Sequence, residues 1–309
     1  MNYFDCHADT LVNMQEGQGT LGENQCNIDL KRARGFAEKY TQIFAIWNDY
    51  KAIEKGHVDE SFLQLYNRAV SLMKAEENQL VWCRTGEEME QAHQSGKAAA
   101  FLSVEDLSLM GSYAPKIREL GIRFAMLTWN YENQYACGSV EDQTGGLKEE
   151  GRDAVKMLLD QGVILDISHL SDAGAQDIFR LTDGPVIASH SNVRDICSCP
   201  RNLQKEQIRE LIRRKGLIGM NMFALFVGEN PTIQDVLRHM DYILNLGGED
   251  ALVFGGDLDG SSDQFPQGFK GIQSVPLIRE TMEKEGFGRK LTDKIFFENA
   301  RAFVLKNVQ

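Results

Sequence analysis

Apolar residues in this chain gather into eight short runs, and each run turns polar at its C-terminal end. The runs are "YFDCHADTL" (3–11), "YTQIFAIWN" (40–48), "AAAFLSVED" (98–106), "IRFAMLTWN" (122–130), "VILDISHL" (163–170), "PVIASHS" (185–191), "LIGMNMF" (217–223) and "ALVFGGDLDG" (251–260). They are rich in β-branched and aromatic residues and nearly continuous in apolar character, which predicts strands covered on both faces. Charge-rich stretches with helical spacing separate them. "KEEGRDAVKMLLDQG" sets Val155, Leu158 and Leu159 on one face and stops at Gly162. "TIQDVLRHMDYILNLGG" repeats the pattern with Ile233, Val236, Leu237, Met240 and Leu244. Strands alternating with helices predict an α/β fold built on a parallel sheet, and a count of eight favours a single (β/α)8 TIM-like barrel spanning residues 1–309. A doubly wound open sheet is the alternative, but neither GxGxxG nor GxxxxGK[ST] occurs.

In a barrel the polar ends of the runs share one mouth, where active sites are built. His7, Asp9, Glu105, Asn130, His169, His190 and Asp257 all stand at or just past such an end. His7 and Asp9 are two apart, so on a strand they point to one side and can hold one ion together. Imidazole and carboxylate are ligands that zinc and similar divalent ions accept. His169 and His190 end consecutive strands, and Glu105 has two oxygens with which to bridge two ions. Ions roughly 3.5–4 Å apart can share a hydroxide that is nucleophilic at neutral pH.

Each residue alone has a plainer reading. A single strand-end histidine is more often a hydrogen-bonded structural residue than a ligand, and a single strand-end glutamate is usually a salt-bridge or cap partner. Asp5 fits such a structural part, or orients a ligand. His57 and His93, in polar helical segments, read as solvated, and His239 is left open. The convergence of three histidines and two strand-end carboxylates on one mouth favours a metal site. In "FGGDLDG" (254–260) the glycines before Asp257 let the backbone come close to a ligand, while the EF-hand spacing is absent.

Composition narrows the partners. Of 309 residues 42% are hydrophobic and 25% charged, and the formal net charge is -12. That balance disfavours nucleic acid or an anionic membrane surface as the main partner. No run approaches a membrane span, and the opening residues carry neither the basic nor the apolar region of a secretion signal. The expectation is a cytoplasmic protein whose six cysteines are free thiols, with Cys197-Ser198-Cys199 structural.

Taken in order, "DCHADT", "DLKRARGF", "QIFAIW", "SVED", "LTWN", "GVILDISHLSD", "PVIASHSNVRDICSCPRNL", "FGGDLDG" and "FENARAF" make the chain resemble the membrane (renal) dipeptidase family of metallopeptidases, type M19, in its soluble bacterial branch. The resemblance implies a barrel with two Zn2+ ions, His7 and Asp9 on one, His169 and His190 on the other, and Glu105 between them. It further implies that Arg201 grips the carboxylate of a dipeptide and that Asp257 is the acid/base for a metal-bridging hydroxide. Dipeptides of the form L-Xaa-D-Xaa and a homodimer follow from the same likeness. One departure stands out. Better-known members carry a histidine near the scissile carbonyl within the "LTWN" segment, where this chain has Trp129 followed by Asn130, both expected at the substrate. Two rival readings remain: an idle, metal-bearing homologue that binds a peptide or metabolite, and an amidohydrolase acting on a non-peptide amide. The latter commonly opens with His-x-His, where this chain has His-x-Asp.

Overall fold

The computed structural model describes residues 1–49, 53, 55–260 and 263–309. All eight apolar runs form strands: Tyr3–Ala8 (β1), Tyr40–Ile46 (β2), Ala98–Val104 (β4), Ile122–Met126 (β5), Ile164–Asp166 (β6), Val186–Ile187 (β7), Ile218–Met220 (β8) and Leu252–Phe254 (β9). They pair in parallel in the order β7-β6-β5-β4-β2-β1-β9-β8. A bridge from Ala188 to Ile218 joins β7 to β8 and brings the ring round on itself. The fold is a (β/α)8 TIM-type barrel.

The sequence pattern overlooked a ninth strand, Leu80–Trp82 (β3), which pairs with Ala98–Ala100. β5 joins β4 only from Leu102 onward, so β3 occupies the stretch of β4 edge that β5 leaves free. Three residues, two of them half-buried, give no apolar run long enough to read.

Alternate residues of the strands separate into two apolar clusters, as a period of two requires. Tyr3, Tyr40, Phe44, Ala100 and Leu102 belong to the larger one, with the helix residues Phe62, Leu158, Ile178, Leu211 and Met240. Phe4, Cys6, Ile43, Phe101, Phe124, Ile164, Ile187 and Val253 form the other, which fills the barrel. With helices outside and side chains inside, neither face of a strand meets water. This is why the runs lack polar alternation until their ends.

The two helices read from spacing are Glu149–Asp160 and Ile233–Asn245. Gly162 follows the first at φ +66°, the left-handed stop that glycine makes cheap. The second is capped by Thr232 and Asp235 and buries Ile233, Val236, Leu237 and Met240, while Ile243 takes the buried place expected of Leu244. His239 is also buried there, accepting the Val193 N–H at 3.0 Å and facing the Val227 carbonyl at 3.0 Å. It is structural.

One reading needs correction. His57 is exposed, but His93 is buried, its Nε2 3.0 Å from Thr41 Oγ1 and 3.3 Å from the Tyr40 carbonyl. The helix Gly86–Gln94 is polar overall yet lays that one position against β2. Asp5 takes the structural part expected of it, and the contact it makes with His7 is to main chain and not to the ring. Its carboxylate accepts the main-chain N–H groups of His7 and Gly256 and the Tyr3 hydroxyl, tying β1 to β9. All six cysteines are free thiols, and among the described residues no helix is long and apolar enough to cross a membrane.

Candidate active site

The strands end where the chemistry begins. β6 stops at Asp166 and the chain bends out so that His169 stands at φ +70°; after β9, Asp257 stands at φ +55°. β1 carries an irregularity between Asp5 and Ala8, which turns His7 and Asp9 into the mouth while Asp5 stays in the wall. Main-chain bonds from Asp257 N–H to the His7 carbonyl (3.2 Å) and from Asp9 N–H to the Leu258 carbonyl (3.0 Å) lace the first strand end to the last. Glu105 follows β4 directly, its N–H on the Ile46 carbonyl.

These elements bring all five expected ligands together. His7 Nε2 lies 3.4 Å from Asp9 Oδ2, 3.3 Å from Glu105 Oε2 and 3.9 Å from Asp257 Oδ1. His169 Nε2 is 2.6 Å from Glu105 Oε1, and His190 Nε2 is 3.8 Å from the same oxygen. Glu105 thus presents one oxygen to each half of the cluster. His169 Nε2 and His190 Nε2 face each other at 2.9 Å, and the His7 ring stacks on His190 with centroids 3.7 Å apart. Within this crowd both ring nitrogens of His7 and Asp9 Oδ1 are buried with no hydrogen-bond partner. Unpartnered buried polar atoms are costly unless something else satisfies them. Three residue sets have ligand atoms all within 4.8 Å of one another: His7, Asp9 and Glu105; Glu105, His169 and His190; His7, His190 and Asp257. The residues therefore fit divalent cations.

Electrostatics point the same way. Burial and the neighbouring Asp9 push the Glu105 carboxyl up to about 8, and burial with Asp9 pushes Asp257 up to about 6, against the opposing pull of His7. Burial works against charge on His7, yet the Glu105 and Asp9 carboxylates outweigh it and hold that imidazole well above its usual range. His169 and His190 are driven well below theirs, by burial first and by Arg201 and His7 next. Three carboxylates packed this closely call for positive charge, and among the described residues His7 and Arg201 are in place to supply it.

The remaining groups orient the cluster. Asn130 Oδ1 meets His169 Nδ1 at 2.8 Å, and Ser189 Oγ meets His190 Nδ1 at 2.7 Å, so each ring presents Nε2 inward. Such outer bonds fix the tautomer of a metal-binding histidine. Asn130 was expected at the substrate; it also lines the cavity, but its side-chain oxygen is taken up by His169. Asn221 donates to Asp257 Oδ2 at 2.9 Å, leaving Oδ1 toward the cluster. Asp106 occupies φ +82° and accepts from Trp129 N–H (3.2 Å) and Asn133 Nδ2 (2.8 Å), joining the ends of β4 and β5.

A cavity of about 180 Å3 opens over these residues, walled by Trp47 and Trp129 on one side and by Phe223 and Phe226 on another. Arg201 is 4% exposed, with its guanidinium carbon 5.3 Å over the Phe226 ring and Nη2 3.2 Å from His169 Nε2. Its Nε has no partner. The close approach made at Gly255 is to main chain. A Cβ on Gly255 would fall on the Ser189 carbonyl, so this residue lets neighbouring strand ends close up. The glycine that approaches the site is Gly260, where a Cβ would collide with Asp9 Oδ2 and Asp257 Oδ1. Trp47, Phe223, Phe226 and Gly260 were not singled out from sequence. They lie beyond the strand bodies, where no periodicity marks them.

Comparison with known proteins gives the family and supports the fold. The family described as membrane dipeptidase (peptidase family M19) matches residues 1–309. A Klebsiella pneumoniae protein described only as uncharacterized, in the pqqA 5′ region, is 28% identical over 216 residues, which are 66% of this chain and 77% of that one. Dipeptidase aclJ of Aspergillus oryzae is 30% identical over 202 residues, 62% of this chain and 48% of that longer protein. Among solved structures, a metallo peptidase of Rhodobacter sphaeroides, bound to a phosphinate mimic of L-Ala-D-Ala, shares the fold with a TM-score of 0.85. The match covers 100% of this chain and 99% of that one at 23% identity. The match along its whole length shows that this chain belongs to the membrane dipeptidase family, peptidase family M19.

Proposed function

We propose that the chain is a metal-dependent dipeptidase holding two divalent ions, Zn2+ by preference of its nitrogen and oxygen donors. His7 and Asp9 hold one ion, His169 and His190 the other, and Glu105 spans the two. The observation that carries this reading is the cluster of mutually facing ligand atoms, with His7 and Asp9 atoms buried and unpartnered. When bound, such a pair of ions supplies an activated water and a Lewis acid for the scissile carbonyl.

The chain's own groups do the rest. Arg201 offers a rigid fork of donors to the terminal carboxylate of a dipeptide, a pairing suited to its planar geometry. Asp257 holds or releases a proton at Oδ1 while Asn221 steadies Oδ2. Its value of about 6 lies near working pH, which suits an acid/base that takes a proton and passes it to the leaving amine. A cavity of about 180 Å3 is small beside the ~300–1,000 Å3 of sites for drug-sized ligands. It suits a dipeptide better than a longer chain. The L-Ala-D-Ala mimic bound by the Rhodobacter relative supports including L-Xaa-D-Xaa dipeptides among the substrates.

Trp129 is the feature that favours a binding protein without turnover, since an indole cannot accept a proton. Asp257, held by a dedicated partner, speaks for catalysis. The test is release of free amino acids from L-Ala-D-Ala and L-Ala-L-Ala by zinc-reconstituted protein, with Glu105→Ala as control. Cleavage by the wild type alone is expected. No cleavage of either dipeptide by protein carrying its metals would remove the proposal.

A further inference from the structure

Two of the three tryptophans in the chain, Trp47 and Trp129, meet at the cavity. Their ring centroids are 5.0 Å apart at 57°, and Tyr131 stands against Trp129 at 5.3 Å. Trp47 follows β2 and Trp129 follows β5, so the indoles close over the end of the intervening β4, beside Glu105. The main chain of Trp129 is fixed by Asp106, whereas the Trp47 indole N–H is buried with no acceptor among the described residues. Ring packing therefore holds this pair, and both rings keep part of their surface open. The face they offer the cavity is apolar.

Strand order decides what lies across from them. In the ring of eight, β4 stands directly opposite β8. Phe223 and Phe226 follow β8, and Arg201 lies against Phe226. A carboxylate gripped by Arg201 puts the C-terminal residue of a dipeptide on the phenylalanine side. Asp9 and Asp257, on the adjoining β1 and β9, attract the free ammonium. That leaves the side chain of the N-terminal residue facing the indoles.

We infer that Trp47 and Trp129 form the pocket for the N-terminal side chain and select dipeptides that begin with a compact apolar residue. This assignment rests on the dipeptidase reading above. Burying an alkyl group against two indole faces gains from apolar contact, while a carboxylate or amide there would lose water against an apolar wall. The small cavity disfavours the largest side chains.

The experiment compares kcat/KM for Leu-Ala, Gly-Ala, Glu-Ala and Lys-Ala in the metal-loaded wild type and in Trp47→Ala, Trp129→Ala and the milder Trp129→Leu. The wild type should prefer Leu-Ala over Gly-Ala by at least roughly a hundredfold, since a single methylene in an apolar pocket is already worth roughly 10–200-fold. Either alanine variant should shrink that ratio at least roughly tenfold, and Trp129→Leu should keep most of it. An unchanged ratio, or a change confined to Ala-Leu against Ala-Gly, would overturn the assignment. So would a preference for Lys-Ala, which would make the indoles a cation cage. A second arm needs no turnover. In Trp82→Phe protein the two remaining indoles are Trp47 and Trp129, and their fluorescence reads binding of phosphinate analogues of Leu-Ala and Gly-Ala. Tighter binding of the leucine analogue by at least roughly tenfold supports the pocket even if no dipeptide is cleaved, whereas equal binding, or none, defeats it.

Discussion

Gly260→Ala is the smallest change that should disable the site without replacing a ligand. The new Cβ would sit 2.5 Å from Asp257 Oδ1 and closer still to Asp9 Oδ2. Ordinary contact begins at 3.4 Å, so the Asp257 oxygen alone must retreat by about 0.9 Å, and a misplacement of about 1 Å can cost ~10²-fold in rate. Asp9 is 2% exposed and anchored at both ends of a laced corner, so the strain cannot be shed into solvent. We expect kcat to fall ~10²-fold, equivalent to about 2.7 kcal/mol in the barrier. Affinity for the ion held by His7 and Asp9 should weaken as well. Overpacking should lower stability by ~1–3 kcal/mol, leaving the protein folded. Gly288→Ala is the control, because nothing lies within 4 Å of a Cβ there. The assay is dipeptide turnover at saturating metal, with circular dichroism to confirm folding and a chelator competition for metal affinity. Turnover within threefold of wild type, with metal affinity intact, would refute the argument.

Three further outcomes follow from the same geometry. Asn130→Ala removes the bond that orients His169 and should weaken metal binding ~10–100-fold, measured by chelator competition; unchanged affinity would mean that His169 needs no such support. Arg201→Lys keeps the charge but loses the fork, so KM for dipeptides should rise roughly tenfold or more while metal content stays constant; an unchanged KM would place the carboxylate elsewhere. Metal-free protein should lose thermal stability as pH rises from about 6.5 to about 8, because Glu105 carries a raised value in the fold and its protonated form is lost across that range. The share of Asp257 is already lost by about 6, and the depressed His169 and His190 act with the opposite sign only below about 6.5. His7, also raised, acts with the same sign. Bound divalent ions should abolish the loss, and a melting temperature of chelated protein that holds or climbs with pH would contradict the reading.

Much of this was legible in the sequence because one physical fact controls it. A strand buried on both faces must be apolar along its body, so His7, Glu105, His169 and Asp257 stand out where the bodies end. What escaped notice depended on tertiary contact. His93 lies in a largely polar segment, and its burial depends on Thr41 and the Tyr40 carbonyl, which receive it from another element. The irregularity that turns His7 away from Asp5 leaves no mark in a run where every position is buried. β3 is too short to register. Gly260 and the aromatic walls come from connecting segments, whose residues answer to the shape of the mouth and to no repeat. Gly255, two before Asp257, misled for the converse reason. Close approach was needed there, but against the Ser189 carbonyl.

Counting metal in the reconstituted protein tests the account at its centre. Elemental analysis, paired with anomalous diffraction from crystals, should find two divalent ions per chain flanking Glu105, one at His7 and Asp9 and one at His169 and His190. Glu105→Ala should hold fewer. A single ion, or ions at other residues, in protein that still cleaves dipeptides would contradict it.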